Sequence, residues 1–390
     1  MDSYLVSIVK DDNVERQVRK AIELIGGMNQ YVKPGCRVLM KPNMTGPAPY
    51  TKGVTTNPAV LDALMKLAWE AGAARVDVGD GTGSIHIGSI EVMERCGIGE
   101  VARKNRGEMV DLNLGETVDV PVINGFILES VKVNKKYFDY DVIVNIPVLK
   151  THFITEVSLG IKNMKGCIPP VEKRRFHDIR VNKAVADLGA VIAAGLTVMD
   201  GTVAGEGLGP KEGRPVNFKT VLAGGNTLAV DMVSAEIMGF EPMEIEHIHL
   251  AAKHHIGPAE PSQIQIQGES IANIKRKFQR AVPSVPPGEN AQVLNYQACS
   301  GCMGCAAITI SRLHDMGFFE KIPDIHMKLI IGTKVPDENF GENAFLIGNC
   351  TKSPARRNGN VPWIAGCAPS ALDTANEILS CYGLDEHPDV

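Results

Sequence analysis

The sequence predicts an α/β fold, with a mostly parallel sheet flanked by helices, a small antiparallel insertion and a smaller C-terminal α/β domain rich in cysteine. Apolar strand-like runs alternate with helix-like runs through the first half of the chain, at the spacing of βαβ units. Residues 108–138 instead alternate apolar and polar side chains, which favours an antiparallel insertion. Of the 390 residues, 44% are hydrophobic and only 5% aromatic, which is typical of a core built from aliphatic side chains.

The individual elements follow from local patterns. Asn57 and Pro58 are residue types of an N-cap and of a first helical position, and Gly239 is a residue type that ends helices. We predict helices over 12–25, 57–71, 228–238 and 370–379. We predict strands over 4–9, 37–40, 75–78, 140–146, 196–199, 221–223 and 344–347.

The segment 282–288 has the composition of a linker between domains. It contains three prolines and a glycine in seven residues, and such a run continues neither a helix nor a strand. We therefore place a domain boundary near residue 285 and predict an α/β domain over 1–285 and a metal-binding domain over 286–390.

Composition excludes two classes of partner. The formal net charge is −5, so no overall positive field would attract nucleic acid. The longest apolar stretch, 188–199, has 12 residues and contains two glycines, whereas a membrane span needs about 20. The N-terminus lacks the basic start before an apolar run that a secretory signal has. We expect a cytoplasmic protein without a membrane segment.

The C-terminal cysteines are the sharpest chemical signal in the sequence. Nine cysteines occur in the chain, and five lie between residues 299 and 367. Three of the five follow one another at a spacing of three, and we expect them on a tight loop because small residues separate them. A [4Fe–4S] cluster needs four thiolates, and the five candidates are Cys299, Cys302, Cys305, Cys350 and Cys367. Zinc held by four cysteines is the alternative, but the second CxxC pair typical of such sites is missing.

Polar side chains gather where the predicted strands of the first domain end. Ligands bind outside the carboxyl ends of strands in open α/β sheets, so we expect these side chains to face one cleft. Lysine and asparagine suit a small phosphate or carboxylate substrate. We predict that the substrate is bound by Lys41, Asn43, Asp80, Thr82, Lys162, Asn163 and Lys165. We predict that catalysis, including proton transfer, uses Lys150, His152, Asp200 and Glu206.

Three of these segments also allow other interpretations. The glycine-rich loop 79–84 matches neither the dinucleotide fingerprint nor the phosphate loop, so a simple turn is equally compatible with it. The basic stretch 150–177 is also compatible with a solvated loop and helix face. The second glycine-rich run, 205–210, is predicted to form a flexible lid or a general-base site carrying Glu206.

Several motifs, in order, resemble the DUF362 family, a domain of unknown function, over about residues 5–280. They include Lys41-Pro42-Asn43, 145–152, 162–166, Asp200-Gly201 and 229–231. The resemblance implies an iron–sulfur protein whose tail holds the cluster through Cys299, Cys302, Cys350 and Cys367, with Cys305 as an additional thiol. It implies no substrate and no reaction.

Together these features favour an iron–sulfur redox enzyme that acts on a small anionic substrate, with the cluster at the interface of the two domains. A non-redox [4Fe–4S] dehydratase or lyase is the first alternative, although it needs an iron without a protein thiolate and five cysteines are available. An electron-transfer protein that docks to a redox partner is the second, and it leaves the polar strand ends without a role. A zinc-stabilised module is the third.

Overall fold

The computed structural model describes residues 4–83, 88–281, 290–357, 361–366 and 368–384. The chain divides into two compact units, 1–281 and 282–390. The predicted boundary at residue 285 lies outside the described residues, close to the division between the units.

The first unit is an α/β unit with one large sheet. Its strands are β1 (Tyr4–Lys10), β2 (Arg37–Pro42), β3 (Arg75–Asp80), β4 (Met109–Asp111), β5 (Thr117–Pro121), β6 (Ser130–Asn134), β7 (Val142–Ile146), β8 (Val148–His152), β9 (Glu156–Val157), β10 (Leu196–Leu208), β11 (Glu212–Val216), β12 (Thr220–Gly224) and β13 (Ile264–Gly268). Its helices are α1 (Val14–Leu24), α2 (Pro58–Glu70), α3 (Ser89–Arg95), α4 (Ile98–Lys104), α5 (Leu159–Asn163), α6 (Pro170–Ile179), α7 (Val181–Val191), α8 (Thr227–Ile237), α9 (Glu246–Lys253) and α10 (Ile271–Ile274).

The main run of this sheet is mostly parallel, as the sequence predicts. Its order is β13-β1-β12-β10-β7-β2-β3-β4. Among these described strands, β12 pairs antiparallel with both of its neighbours, and all the other pairs are parallel. The parallel strands β10, β7, β2 and β3 therefore bring their carboxyl ends to the same edge of the sheet.

Both faces of the sheet are covered by apolar cores. In β2, Leu39 packs into one core while Val38 and Met40 pack into the other, and all three side chains are fully buried. Successive side chains of a strand point to opposite faces, so a strand covered on both sides needs a continuous apolar run. That is the pattern of residues 38–40, and it explains why this strand could be predicted from the sequence.

The start of α2 confirms a local prediction. Asn57 Oδ1 accepts a hydrogen bond from the backbone N–H of Ala59 at 3.0 Å, and Pro58 is the first helical residue. The cap satisfies a helix-terminal donor that would otherwise need water, which contributes about 1 kcal/mol.

The predicted antiparallel insertion is also confirmed, since β5 and β6 pair antiparallel. The loop that joins them is held by Asp187 of α7. The Asp187 carboxylate accepts hydrogen bonds of 2.8–2.9 Å from three successive backbone N–H groups of residues 126–128. These bonds fix the insertion to the helical layer.

Two segments that we expected to be loops are strands. β8 continues the chain beyond β7 and pairs with β10, which itself runs for 13 residues to Leu208 and forms a hairpin with β11. The predicted lid is therefore wrong for 205–208. The glycines of β10 allow close approach of backbones: a Cβ on Gly205 would lie 2.6 Å from the carbonyl oxygen of Gly53. Space, rather than flexibility, requires glycine here.

The second unit is a smaller α/β unit with a parallel sheet of order β14-β15-β16-β17. Its strands are β14 (Ala291–Tyr296), β15 (Met327–Gly332), β16 (Ala344–Ile347) and β17 (Trp363–Ile364). Its helices are α11 (Ser300–Asp315), α12 (Phe318–Lys321), α13 (Lys352–Arg357) and α14 (Ala371–Cys381). Throughout the described ranges of both units, no helix combines the length and the apolar content that crossing a bilayer requires.

The closely spaced cysteines do not lie on a tight loop, contrary to our prediction. Cys299 is the N-cap residue of α11, and Cys302 and Cys305 lie within the first two turns of that helix. Alanines at 306 and 307 follow directly, and alanine has the highest helix propensity, so the helix extends back over the cysteine motif.

Candidate functional site

A buried ion pair joins the ends of β2 and β3. Lys41 Nζ donates a hydrogen bond to Asp80 Oδ1 at 2.7 Å, and the two side chains are 0% and 3% exposed. β2 and β3 are parallel neighbours, so their carboxyl ends lie side by side. The strand-end argument from the sequence therefore brings Lys41 and Asp80 together.

Lys150 of β8 is buried beside this edge and is fully hydrogen-bonded. Its Nζ donates to Asn43 Oδ1 at 2.5 Å, to Thr45 Oγ1 at 2.9 Å and to the carbonyl oxygen of Val54 at 2.7 Å. Three acceptors match the three N–H groups of an ammonium ion. Burial lowers the pKa of Lys150 to about 7, and the negative charge of Asp80 opposes that effect.

A network of amides ties α5 to the same strand ends. Asn163 of α5 accepts from Asn43 at 2.9 Å and donates to Asn145 Oδ1 at 2.8 Å, and Asn145 donates to the carbonyl oxygen of Gly160 at 3.0 Å. The buried Asp231 accepts hydrogen bonds of 2.6 and 2.8 Å from the backbone N–H groups of Gly160 and Ile161, in the first turn of α5. The backbone of α5, which carries Lys162, is therefore held at both ends.

Three further lysines line this region from α5 and the segment that follows. Lys162, Lys165 and Lys173 are half-buried. Lys173 Nζ donates to the carbonyl oxygen of Gly81 at 2.7 Å and to Asn113 Oδ1 at 2.5 Å, while Lys165 Nζ lies 3.2 Å from His177 Nε2. Burial lowers the pKa of Lys165 to about 7 and that of Lys173 to about 8, and the pKa of Lys162 falls well below its ordinary value.

We call Lys41, Lys150, Lys162, Lys165 and Lys173 the lysine cluster. The positive charges of Lys165 and Lys150 lower the pKa of Lys162 further. The charge of Lys173 lowers the pKa of Lys165 in the same way. Within the part of the chain that the structure describes, the Lys41–Asp80 pair is the one ion pair that a member of the cluster makes. The cluster therefore concentrates more positive than negative charge in a poorly solvated region, which is the arrangement that binds anions.

His152 lies beside the lysine cluster and is 4% exposed. Its Nδ1 accepts a hydrogen bond from the backbone N–H of Ile154 at 3.0 Å, so in the neutral ring the proton belongs on Nε2. Burial lowers the pKa of His152 well below its usual range, and the charges of Lys162 and His177 add to that effect. A neutral imidazole with its proton on Nε2 can donate a hydrogen bond to a bound group.

Two glycines let the strand ends and the lysine segment meet. A Cβ on Gly166 would lie 1.8 Å from Asp80 Oδ1, and one on Gly81 would lie 2.6 Å from Lys173 Nζ. The backbone N–H of Gly81 also donates to the carbonyl oxygen of Gly166 at 2.8 Å. The loop after β3 therefore contacts the segment 165–173 directly. Gly81 and Gly166 are required because a larger side chain at either position would fill the space between them.

Three other predicted site residues make contacts of a different kind. Asp200 is buried, and its two carboxylate oxygens accept from the backbone N–H of Asn57 at 2.7 Å and from the backbone and hydroxyl of Thr202. Glu206 pairs with Arg276 at 3.0 Å. Thr82 is buried and its hydroxyl donates to the carbonyl oxygen of Met44 at 3.2 Å. These contacts hold backbone segments in place and occupy the oxygens that chemistry would use.

The sequence does not single out Thr45 and Asn113, which accept hydrogen bonds from Lys150 and Lys173. It indicates Lys173 and His177 only as part of the basic stretch 150–177, without a specific role in the site. Lys173 and His177 are four residues apart on α6, so they lie on one face of that helix. The spacing of four residues indicates that the two side chains share a helix face, but the sequence does not show which part of the protein that face packs against.

Cys167, the thiol nearest to this segment, is fully buried, and burial raises its pKa to about 12. A thiol with so high a pKa carries almost no thiolate at neutral pH. Cys167 is therefore a small core residue, in keeping with the usual role of a lone buried cysteine.

The pKa values of the cluster predict how stability depends on pH. A lysine whose pKa is lowered by folding binds fewer protons in the folded than in the unfolded state, so its contribution to stability rises with pH. We expect the free energy of unfolding to rise between about pH 7.5 and 8.5, by up to about 1.4 kcal/mol per pH unit for each such lysine. Urea denaturation at several pH values measures the free energy of unfolding. Lys165→Met should flatten the slope, and a slope that is negative or unchanged by this variant would contradict the assignment.

The C-terminal cysteines are arranged as follows. A Cβ on Gly348 would lie 3.1 Å from Cys302 Sγ, so the backbone just before Cys350 approaches the Cys302 thiol. Cys305 Sγ instead lies 3.9 and 3.8 Å from the hydroxyls of Thr309 and Thr374, within the packing of α11 against α14. Cys367 lies outside the described residues. Among the residues that are described, no group of three or more His, Cys, Asp or Glu side chains is placed to hold a metal ion.

Comparison with known proteins adds a family. The family model described as a domain of unknown function, DUF362, matches residues 38–236. A thylakoid-associated protein of Synechocystis sp. is 30% identical over 273 residues, which cover 65% of this chain and 79% of that protein. The lactate racemase apoprotein from Thermoanaerobacterium thermosaccharolyticum matches with a TM-score of 0.38 and 16% identity, over 57% of this chain and 54% of the racemase. This chain spans about half the length of the racemase, and a likeness of this size supports no inference about activity.

Proposed function

The chain belongs to the DUF362 family, and from that premise we propose that it is an iron–sulfur redox enzyme whose α/β unit binds a small, multiply charged anion. The observation that carries the proposal is the charge balance of the lysine cluster. Among the described residues, the five lysines of the cluster make one ion pair, that of Lys41 with Asp80. A phosphate or a dicarboxylate would supply the missing negative charge and several acceptors at once.

The residues of the site divide into those that are already satisfied and those that can reach a ligand. Lys41 and Lys150 are buried and engaged with protein acceptors, so they fix the shape of the site and its field. Lys162, Lys165 and Lys173 are half-buried, so their amines can reach an anion. His152 Nε2 would donate a hydrogen bond to the bound group. We leave Asp200 and Glu206 out of the catalytic set because other partners occupy their carboxylates.

For the second unit we propose a [4Fe–4S] cluster held by Cys299, Cys302, Cys350 and Cys367. The donor set fits such a cluster, because thiolates are its usual ligands and Gly348, two residues before Cys350, lacks a Cβ where Cys302 approaches. Cys305 is turned toward two threonine hydroxyls, which supports its role as the additional thiol. When bound, the cluster would supply one-electron transfer. A zinc ion on the same thiolates is the alternative.

Two other functions use the same parts. In a dehydratase or lyase, one iron would lack a protein thiolate and act on the substrate as a Lewis acid. In an electron-transfer protein, the cluster would serve a redox partner, and the lysine cluster would have no small ligand. The redox enzyme is favoured over the latter by the poorly solvated lysines, which a docking surface does not require.

A titration with orthophosphate tests the anion site. We expect Lys165→Met to weaken phosphate binding by about ten- to a hundredfold, because one charge-assisted hydrogen bond contributes about 1.5–3 kcal/mol. Lys33→Met is the matched control: Lys33 is exposed and precedes β2, at the opposite end of that strand from Lys41. Calorimetry on the full chain measures both. Equal affinities in the two variants, or no binding by the unaltered protein, would refute the site.

A further inference from the structure

Within the lysine cluster, Lys162 differs from the other four lysines in its contacts. Lys41 donates to Asp80, Lys150 to three oxygens, Lys173 to two oxygens, and Lys165 lies against His177. In the described parts of the chain, no hydrogen bond or ion pair of the Lys162 amine is found, although its side chain is half-buried. An amine without a partner in a desolvated site is available for chemistry.

The surroundings of Lys162 favour the neutral amine. The nearby charges of Lys165 and Lys150 and the partial burial of the side chain all disfavour a further positive charge there. The neutral form is the nucleophile, and each unit by which a lysine pKa falls raises the neutral fraction at neutral pH about tenfold. The other lysines keep their hydrogen-bonded places, so they can attract an anionic compound toward this amine.

The backbone at Lys162 is held in place. Asp231 accepts hydrogen bonds from the backbone N–H groups of Gly160 and Ile161, which come just before Lys162. Asn163, the next residue, hydrogen-bonds to Asn43 and Asn145. A nucleophile needs this kind of fixed attachment, because a misplacement of an ångström costs a large part of the rate.

We propose that Lys162 is a nucleophilic amine that forms an imine with the carbonyl carbon of a small anionic aldehyde or ketone held by the lysine cluster. The inference rests on the anion site proposed above and narrows its ligand to an oxo acid or a phosphorylated carbonyl compound. The amine nitrogen adds to the carbonyl carbon, and the oxygen gains a proton. The carbinolamine then loses that oxygen as water, and a C=N bond replaces the C–O bond. Addition of one water reverses the step, so no oxidant or reductant is required.

His152 is placed to assist the loss of water. Its Nε2 carries a proton in the neutral ring, and Lys162 lies near enough to influence the pKa of that ring. The Nε2–H donates a hydrogen bond to the departing oxygen, and the second proton of the water comes from the carbinolamine nitrogen as the C=N bond forms. His152 therefore stabilises the charge that develops on the leaving oxygen and keeps its own proton.

Borohydride trapping tests the proposal. The full chain is incubated with pyridoxal phosphate, an aldehyde with a phosphate group, or with glyoxylate, then reduced with borohydride and mapped by peptide mass spectrometry. We expect the secondary amine on Lys162, suppression by excess orthophosphate, and at least about tenfold less label on the exposed Lys33. The labelling rate of Lys162 should level off at a lower pH than that of Lys33.

Two controls separate this inference from the anion site itself. Lys162→Arg cannot form an imine, so it should lose the adduct, while orthophosphate binding is measured separately on the unaltered protein. Label on Lys165 or Lys173 instead, label that follows exposure alone, or no label at Lys162 while orthophosphate still binds would overturn the imine and leave the anion site standing. Failure of orthophosphate to bind the unaltered protein would refute the anion site instead.

Discussion

Asp80→Asn is expected to lower the free energy of unfolding by about 3–5 kcal/mol, because it leaves the buried Lys41 ammonium without its counter-ion. Lys41 is fully buried and its Nζ lies 2.7 Å from the carboxylate. Asp80 also acts on Lys150 and Lys173, so its loss removes a negative charge that several lysines share. Urea denaturation of the variant and the unaltered protein measures the difference.

A double-mutant cycle makes this prediction specific. Lys41→Met should cost less than Asp80→Asn, because the remaining carboxylate is still attracted by Lys150 and Lys173. The double variant, with Lys41→Met and Asp80→Asn, should be more stable than the sum of the single losses implies, since no buried charge is left without a partner. If the losses in the free energy of unfolding of the two single variants simply add up in the double variant, Lys41 and Asp80 do not stabilise each other. If Asp80→Asn does not fold, the double variant still decides. A double variant that folds where Asp80→Asn does not would show that the two side chains act as a pair.

Cys302→Ser is expected to abolish cluster binding in the second unit. The unaltered chain, purified without oxygen, should contain about four irons and four acid-labile sulfides, and the variant should lose essentially all of both. The reason is that a serine hydroxyl does not replace a thiolate ligand well, and the remaining set would hold one donor too few. Iron, zinc and sulfide analysis with visible absorption measures the outcome.

Cys305→Ser is the matched control, one helical turn further along α11. Its thiol lies beside Thr309 and Thr374, where a hydroxyl is also compatible with the surroundings. It should therefore retain the iron and sulfide content of the unaltered protein. One zinc and no sulfide in the unaltered protein would establish the zinc alternative, and loss of iron in Cys305→Ser but not in Cys302→Ser would reverse the ligand assignment.

The convergence of the strand ends is the part of the site that the sequence could predict. Lys41, Asp80 and Lys150 follow or end buried apolar runs, and parallel strands necessarily bring such positions to one edge. The two-sided burial of β2 is visible in its sequence for the same reason. These features depend on local pattern and on a general rule of sheet topology.

The remaining features depend on contacts between distant residues, which a pattern cannot specify. Asp200 has the residue type of a catalytic acid, but its carboxylate accepts from Asn57, 143 positions earlier in the chain. Glycine is needed at position 166 because the side chain of Asp80, 86 residues earlier in the sequence, occupies the space that a Cβ would fill. Lys173 joins the site only through the direction in which α6 packs.

The cysteine motif shows a third kind of difference. Spacing alone gives three equivalent thiols at 299, 302 and 305, whereas the structure places them along the first turns of a helix. A helix turns by 100° for each residue, so residues three apart no longer point the same way over two steps. This explains why Cys302 faces the segment before Cys350 while Cys305 faces α14.

The most direct test of the anion site is a calorimetric titration with sulfate in two buffers of different ionisation enthalpy, near pH 7.5. Sulfate does not titrate in this range, whereas Lys165 and Lys173 have pKa values of about 7 and about 8. A bound dianion favours the charged amines and raises these values, so we predict saturable binding with net uptake of protons. Absence of binding, or binding without proton uptake, would contradict the assignment of the lysine cluster as the anion site.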